Sequence, residues 1–190
     1  MRGLIIWSSA LASLMVIIVG GMLPTAIWLP KTDLISQAIS LNSSWQVPAI
    51  LLSAITCGPS TALIAIFAYL TIGLFYLPIF HSGGSIGYLM TPEFGYLAGL
   101  IPASIITGKI ALRQKKDKLI GFTFAAAIGI AVIHITGVLI LIIGSIFHLR
   151  QFNISDLFIS YTLVPLPTQL ILCPSVALIS IFIKKLLVLK

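Results

Sequence analysis

Long apolar runs divide the chain into six segments, with short polar, glycine-rich or proline-rich stretches between them. The runs cover residues 4–23, 46–58, 60–79, 92–112, 119–147 and 161–183. Several approach or exceed the roughly 20 residues that an α-helix needs to cross the hydrocarbon core of a bilayer. Their apolar residues are continuous rather than alternating, which favours helices over the strands of a membrane barrel. We therefore predict an all-α, polytopic membrane protein with six transmembrane helices, formed by one domain over residues 1–190.

Composition agrees with a protein whose main solvent is lipid. Hydrophobic residues make up 59% of the chain and charged residues only 8%, with a mean hydropathy of +1.17. A soluble domain carries about 25% charged residues. The first run follows Arg2, but it is long for the apolar core of a signal peptide, and no clean small-residue cleavage site follows it. We expect this run to be retained as the first span.

The chain offers little that would bind a metal or a cofactor. Its two cysteines, Cys57 and Cys173, lie in or beside predicted spans, outside any Cys-x-x-Cys motif and away from any histidine cluster. Such cysteines are most often unpaired thiols in an apolar environment. The sequence also contains no P-loop. We expect no metal and no cofactor, and we do not expect this chain to hydrolyse ATP.

The basic residues are distributed unequally across the predicted membrane. Nine of the eleven lysines and arginines fall on one side, namely Arg2, Lys109, Arg113, Lys115, Lys116, Lys118, Lys184, Lys185 and Lys190. The positive-inside rule makes this side cytoplasmic, so both termini are expected there, in a multi-pass protein of the inner or plasma membrane. The net charge of +7 lies in short loops beside the membrane, so no nucleic-acid partner is expected. Binding to lipid headgroups or to an acidic partner is a second use of these charges.

This orientation places residues 24–45, 80–91 and 148–160 on the outer side. The first of these segments is unusually long for a connection and carries Trp28 and Trp45. Connections of that length are usually functional or disordered. Two interpretations are open, a lid over the outer face of the bundle and an interfacial segment anchored by its tryptophans.

Small residues recur every fourth position in three of the predicted spans. The sets are Gly95, Gly99, Ala103 and Thr107; Gly121, Ala125 and Gly129; and, in the first span, Ser9 with Ser13 and Ser8 with Ala12. This spacing puts each set on one helix face, where small side chains let helices approach closely. The first two sets are expected to form contacts within the bundle. The stripe on the first span is either internal packing or a docking face for another membrane protein.

A glycine-rich segment between the third and fourth spans contains the pattern G-x-S-x-G around Ser85. A serine nucleophile in this pattern follows a strand and needs a histidine base with an orienting carboxylate. Here a predicted span precedes the serine, and the candidate bases are His81, His134 and His148. An intramembrane serine hydrolase that uses Ser85 with one of these histidines is therefore retained only as an alternative.

Ligand binding is the favoured interpretation of the same segment. Gly83, Gly84 and Gly87 allow the backbone to come close to a ligand with no side chain in the way. Pro92 is suited to the start of the next helix, and Glu93 follows in its first turn, where a negative charge complements the helix dipole. The segment can hold a small polar group at the outer mouth of a helical bundle.

At these residues the chain resembles the BioY proteins, the biotin-binding S components of energy-coupling factor (ECF) transporters, a branch of the ABC transporters. The resemblance is carried by GLFYLPIFHSGGSIGYLMTPEFGYLAG, residues 73–99. The matching positions are Gly73, Leu77, Pro78, Phe80, Gly83, Gly84, Gly87, Pro92, Gly95, Tyr96, Leu97 and Gly99. The likeness is specific over residues 58–112 and extends more weakly over the whole chain through the six-span plan and its charge bias.

The resemblance implies an S-component-like bundle that binds biotin from the extracytoplasmic side and is not an enzyme. It implies ATP-driven import together with a transmembrane T subunit and ABC-type ATPase subunits. The stripe on the first span is our candidate for their docking face. The expected substrate-binding residues are Phe80, Ser82, Gly83, Gly84, Tyr88, Glu93, Tyr96, His134 and Gln169.

The chain departs from the family pattern at several positions. Tyr76 and Thr91 replace usual glycines, and Glu93 replaces a usual threonine. In the last span, Gln169 and Leu172 stand where the family has an aspartate and a lysine that are expected to contact ligand. Gln169 retains hydrogen-bonding capacity for a cyclic urea, but Leu172 cannot pair with a carboxylate.

A carboxylate on the ligand therefore needs another partner. The nearest outer candidates are Lys31, Arg150 and His81. A vitamin other than biotin remains an alternative ligand.

Overall fold

The computed structural model describes residues 2–29, 37–80, 83–114, 118–146 and 153–187. The helices are α1 (Arg2–Met22), α2 (Gln46–Cys57), α3 (Pro59–Phe75), α4 (Glu93–Arg113), α5 (Leu119–Ile146), α6 (Ile154–Phe158) and α7 (Pro165–Leu186). Two strands, β1 (Pro24–Leu29) and β2 (Gln37–Ser44), lie between α1 and α2. A 3-10 turn, Ile86–Met90, precedes α4, and a π-helical segment, Ile159–Leu163, joins α6 to α7.

The helices reproduce the six predicted apolar runs. Within the described residues, four helical segments are long and apolar enough to cross a membrane: Gly3–Met22, Glu93–Arg113, Leu119–Ile146 and the continuous Ile154–Leu186. Helices α2 and α3 are shorter apolar helices. The prediction of an all-helical, multi-pass bundle is confirmed, with α2 packed against α1, α3, α4 and α7 at its centre.

Two helix boundaries differ from the predicted ones, and a proline explains the first of them. The third helix ends at Phe75 rather than at residue 79, because Pro78 disfavours helical backbone at the residue before it and has no N–H to continue the ladder. The last helical region begins at Ile154 rather than at 161. Its π-helical turn, in which the Val164 N–H donates to the Ile159 carbonyl at 3.0 Å, lies directly before Pro165.

The strand pair is a feature that hydropathy does not predict. Strands β1 and β2 are antiparallel, with Pro24 opposite Ser44 and an irregular register between Pro24 and Ala26. At its base, the Thr25 hydroxyl donates to the Ser43 carbonyl at 2.8 Å, and the Trp45 N–H donates to the Leu23 carbonyl at 3.1 Å. The hairpin is therefore fixed to the ends of α1 and α2.

Glycines permit the close contact between α4 and α5. A Cβ at Gly99 would lie 2.9 Å from the Ile133 carbonyl oxygen, and one at Gly129 would lie 2.2 Å from the Thr107 hydroxyl. These contacts confirm the predicted packing of small residues within the bundle. Gly137 adds a contact that the spacing does not predict, because its Cα faces the ring of Tyr96.

The stripe on α1 is divided between two environments. Ser13 is buried, and its hydroxyl lies 3.9 Å from the sulfur of Cys57 on α2. Ser8 and Ala12 are exposed, and Ser9 is half-buried with its hydroxyl bonded to the Ile5 carbonyl of its own helix. One edge of the stripe packs inside the bundle, and the other edge is left on its surface.

Gly99→Val is expected to lower the stability of the protein in detergent. The added methyl groups would press on the backbone of α5 at Ile133, which cannot move as a side chain can. Overpacking of this kind costs about 1–3 kcal/mol. Thermal unfolding of the purified protein measures the effect. Gly3→Val is the control, because nothing lies within 4 Å of a Cβ at that position, and an equal loss in both variants would contradict the explanation.

Candidate ligand-binding cavity

A cavity of about 610 Å³ opens at one end of the bundle. Its walls come from the base of the strand pair, the 3-10 turn, the first residues of α2 and α7, the first half of α4, the middle of α5 and the π-helical segment. The basic residues of the described chain lie at the opposite end, as in Arg113 at the end of α4 and Lys184 near the end of α7. The cavity and the basic end therefore occupy opposite sides of the bundle.

Five of the predicted binding residues line this cavity: Tyr88, Glu93, Tyr96, His134 and Gln169. Phe80, Gly83 and Gly84 do not line it. Ser82 lies outside the described residues. The part of the prediction that concerns α4, α5 and α7 thus converges on one place in the fold.

A buried hydrogen bond between His134 and Gln169 joins α5 to α7 at the cavity. The His134 Nε2 atom lies 3.1 Å from the Gln169 Oε1 atom, and both residues are buried. The ring of Tyr96 packs edge-on against the imidazole, with ring centroids 5.9 Å apart. The Tyr96 hydroxyl lies 2.7 Å from the hydroxyl of Thr162, so its orientation is fixed from the π-helical segment.

Glu93 is held by tyrosines from two walls of the cavity. Tyr88, in the 3-10 turn, donates its hydroxyl to Oε2, and Tyr161, in the π-helical segment, donates to Oε1 at 3.1 Å. Burial raises the pKa of Tyr88, and the hydrogen bond to Glu93 raises it further. Tyr88 therefore stays a neutral donor at physiological pH, and the carboxylate acts as a fixed acceptor between the turn and the last helix.

The cavity also contains residues that the sequence analysis missed. Those with polar side chains are Thr25, Ser43, Ser44, Gln46, Ser160 and Tyr161. Gln46 is the most informative of these, because it is only 7% exposed and its Nε2 atom has no hydrogen-bond partner among the described residues. Its position in the first turn of a short apolar span was the one signal that could have identified it as a binding residue. Polar residues are also common at helix ends, so this position alone does not distinguish it.

The glycine-rich segment packs against the end of α3, and its glycines do not line the cavity. A Cβ at Gly84 would lie 2.6 Å from both the Gly73 carbonyl oxygen and the Pro78 Cα, so the segment packs directly on the end of α3. Gly83, with a φ of +116°, pairs with Phe80 in a short antiparallel bridge. Phe80 in turn stacks against Tyr88 with ring centroids 4.7 Å apart. The glycines thus position Tyr88 rather than facing the cavity.

Ser85 is not placed for nucleophilic catalysis. It is exposed and does not line the cavity that contains His134. His81 and His148, the other candidate bases, lie outside the described residues. The described geometry therefore gives no support to the hydrolase alternative.

The chemistry of the cavity suits a small ligand with an apolar body and an amide-like edge. Leu97, Leu100 and Ile133 provide apolar wall, while Gln46 and His134 provide buried hydrogen-bonding groups. Its volume falls within the range of roughly 300–1,000 Å³ that is usual for small-molecule sites.

Comparison with known proteins finds a family and several proteins to which this chain is similar. The model of the BioY family matches residues 5–188. An uncharacterized 21.2 kDa protein encoded in the psbX–ycf33 intergenic region of Cyanophora paradoxa is 29% identical over 150 residues, which is 78% of this chain and 77% of that protein. A probable biotin transporter BioY of Lysinibacillus sphaericus is 31% identical over 93 residues, which is 49% of this chain and 47% of that protein.

One solved structure shares the fold over nearly the whole chain. It is the S-component for biotin from an ECF-type ABC transporter, with a TM-score of 0.71 and 21% sequence identity. The match covers 97% of this chain and 93% of that one. The arrangement of helices around the cavity therefore follows an established architecture.

Gly84→Ala is expected to destabilise the protein and to weaken ligand binding, whereas Gly87→Ala is not. A methyl group at Gly84 would collide with backbone atoms of Gly73 and Pro78, while at Gly87 the nearest atom is the Ser85 hydroxyl at 3.5 Å. Movement of the segment would shift Phe80 and then Tyr88. Thermal unfolding and ligand titration of both variants in detergent test this, and equal behaviour of the two alanine variants would show that the packing contact is unimportant.

Proposed function

The chain belongs to the BioY family, and we propose that it is the substrate-specific membrane subunit of a vitamin uptake transporter that binds biotin. In this proposal residues 1–190 form one membrane-embedded binding domain that performs no chemical step. The observation that carries it is the cavity at one end of the bundle, where the bonded pair His134–Gln169 and the buried Gln46 lie beside an apolar wall as well as other polar side chains.

Biotin fits the character of this cavity. Its fused ring system offers apolar surface, and its cyclic urea offers one acceptor and two donors. Gln169, which replaces an acidic residue of the family pattern, still supplies an amide at the cavity wall. The name of the Lysinibacillus sphaericus relative and the ligand of the structurally similar S-component support the same choice.

The charge distribution supports binding from the extracytoplasmic side. The basic ends of α4 and α7 are expected to be cytoplasmic, and the cavity opens at the other end of the same helices. Both termini are then cytoplasmic, in the inner or plasma membrane. In this proposal import is driven by ATP through a transmembrane T subunit and ABC-type ATPase subunits, as the family membership implies, with the exposed edge of the α1 stripe as the docking face.

One departure from the family pattern favours a second candidate, a related vitamin without a free carboxylate. Leu172 does not line the cavity and cannot pair with an anion. The other candidates for this role, Lys31, Arg150 and His81, lie outside the described residues. Comparison of ligands with and without the carboxylate distinguishes the two candidates.

Titration of the detergent-purified chain tests the function. Wild-type protein is expected to bind biotin and also desthiobiotin, which retains the cyclic urea. Gln169→Ala is expected to weaken the binding of both ligands by about tenfold or more, because a buried hydrogen bond is lost. Ser180→Ala is the control on the same helix, because that buried hydroxyl bonds to the Val176 carbonyl of its own helix and does not line the cavity. Absence of biotin binding by the wild type, together with binding of another vitamin, would refute the choice of ligand.

Ala12→Trp is expected to reduce biotin uptake in cells that contain the T and ATPase subunits, while binding by the purified chain stays unchanged. Ala12 is exposed on α1, so a large side chain there obstructs a partner without entering the bundle. Ile135→Trp on α5, which is 60% exposed, is the control. Unchanged uptake in Ala12→Trp, or equal loss in both variants, would contradict docking through α1.

A further inference from the structure

Two buried nitrogen atoms at the cavity have unmet hydrogen-bonding capacity. They are Nε2 of Gln46 and Nδ1 of His134, and neither has a partner in the part of the chain that the structure describes. Gln46 is 7% exposed and His134 is 5% exposed, and both residues line the same cavity. Buried polar groups almost always have a hydrogen-bond partner. Two buried groups without one, in residues that line the same cavity, indicate a ligand that supplies the missing partners.

The hydrogen bond to Gln169 determines which kind of partner His134 needs. An amide oxygen only accepts, so the Nε2 atom of His134, 3.1 Å from Gln169 Oε1, carries the hydrogen. In a neutral imidazole the other nitrogen, Nδ1, is then a bare acceptor. The Nε2 atom of Gln46 is a donor only. The cavity therefore presents one unmet donor and one unmet acceptor.

A ligand that carries a carbonyl beside an N–H group meets both requirements at once. We propose that Gln46 and His134 form the specificity-determining pair of this site: Gln46 donates to the carbonyl oxygen of the cyclic urea, and His134 Nδ1 accepts from a ring N–H. Gln169 is a positioning residue, since it fixes the tautomer of His134. This inference rests on the proposed function and adds to it the two residues that recognise the ureido edge.

The Gln46 contact is tested with two ligands that differ at one atom. 2-Iminobiotin replaces the carbonyl oxygen with a protonated imino group at neutral pH, so it can only donate where biotin accepts. Gln46→Met, of similar volume and without a donor, is expected to weaken biotin binding by about tenfold. Binding of 2-iminobiotin should change far less, so that discrimination between the two ligands shrinks. Ser53→Ala, also buried on α2 and remote from the cavity, should leave both unchanged.

The His134 contact is tested with two amide substitutions. In His134→Asn the side-chain amide lies where Nδ1 of the histidine was. In His134→Gln it lies where Nε2 was, so it can still bond to Gln169. The proposal expects His134→Asn to retain more biotin affinity than His134→Gln. The reverse order would show that His134 serves only to hold α5 against α7.

The outcomes separate this inference from the function on which it rests. If wild-type protein binds biotin but Gln46→Met binds biotin equally well, or loses both ligands by the same factor, the pair does not recognise the ureido edge and the transport function stands. If wild-type protein binds neither biotin nor desthiobiotin, the proposed function itself is overturned.

Discussion

The hydrogen bond between His134 and Gln169 is the interaction on which the cavity depends. In a bundle surrounded by lipid, a polar side chain without a partner is costly, so two such residues on facing helices hold each other in place. The bond fixes the distance between α5 and α7 at the level of the cavity, and it fixes the tautomer of the imidazole. Tyr96, packed against that ring, then connects the pair to α4.

The glycine-rich segment acts on the site through a chain of contacts. Gly84 lets the segment lie against the end of α3, Gly83 turns the backbone so that Phe80 can pair with it, and Phe80 stacks on Tyr88. Tyr88 finally donates to Glu93 at the cavity wall. A pattern that is identified by its glycines thus determines the position of a tyrosine several residues away.

Hydropathy and charge were sufficient to predict the helices. In lipid every backbone N–H and C=O group must be hydrogen-bonded within the protein, so a spanning segment with continuous apolar residues forms a helix. The family pattern and the polar side chains in apolar runs, rather than hydropathy, singled out Tyr88, Glu93, Tyr96, His134 and Gln169, all of which line the cavity. The strand pair was not predictable, because its pairing depends on register between two short segments rather than on periodicity. Gln46 and Tyr161 were missed because no neighbouring residue in the sequence marks them as binding residues. They reach the cavity only through the folding of α2 and of the π-helical segment.

The shortness of α2 has a consequence for the interior of the bundle. Twelve residues of α-helix span only about 18 Å, whereas the hydrocarbon core is about 30 Å thick. Because the other helices enclose α2, the depth that it does not span is left to the base of the strand pair and to the cavity, which adjoin its first residues. A small molecule in the cavity would lie below the outer surface of the membrane, so that less of the bilayer separates it from the basic end of the bundle.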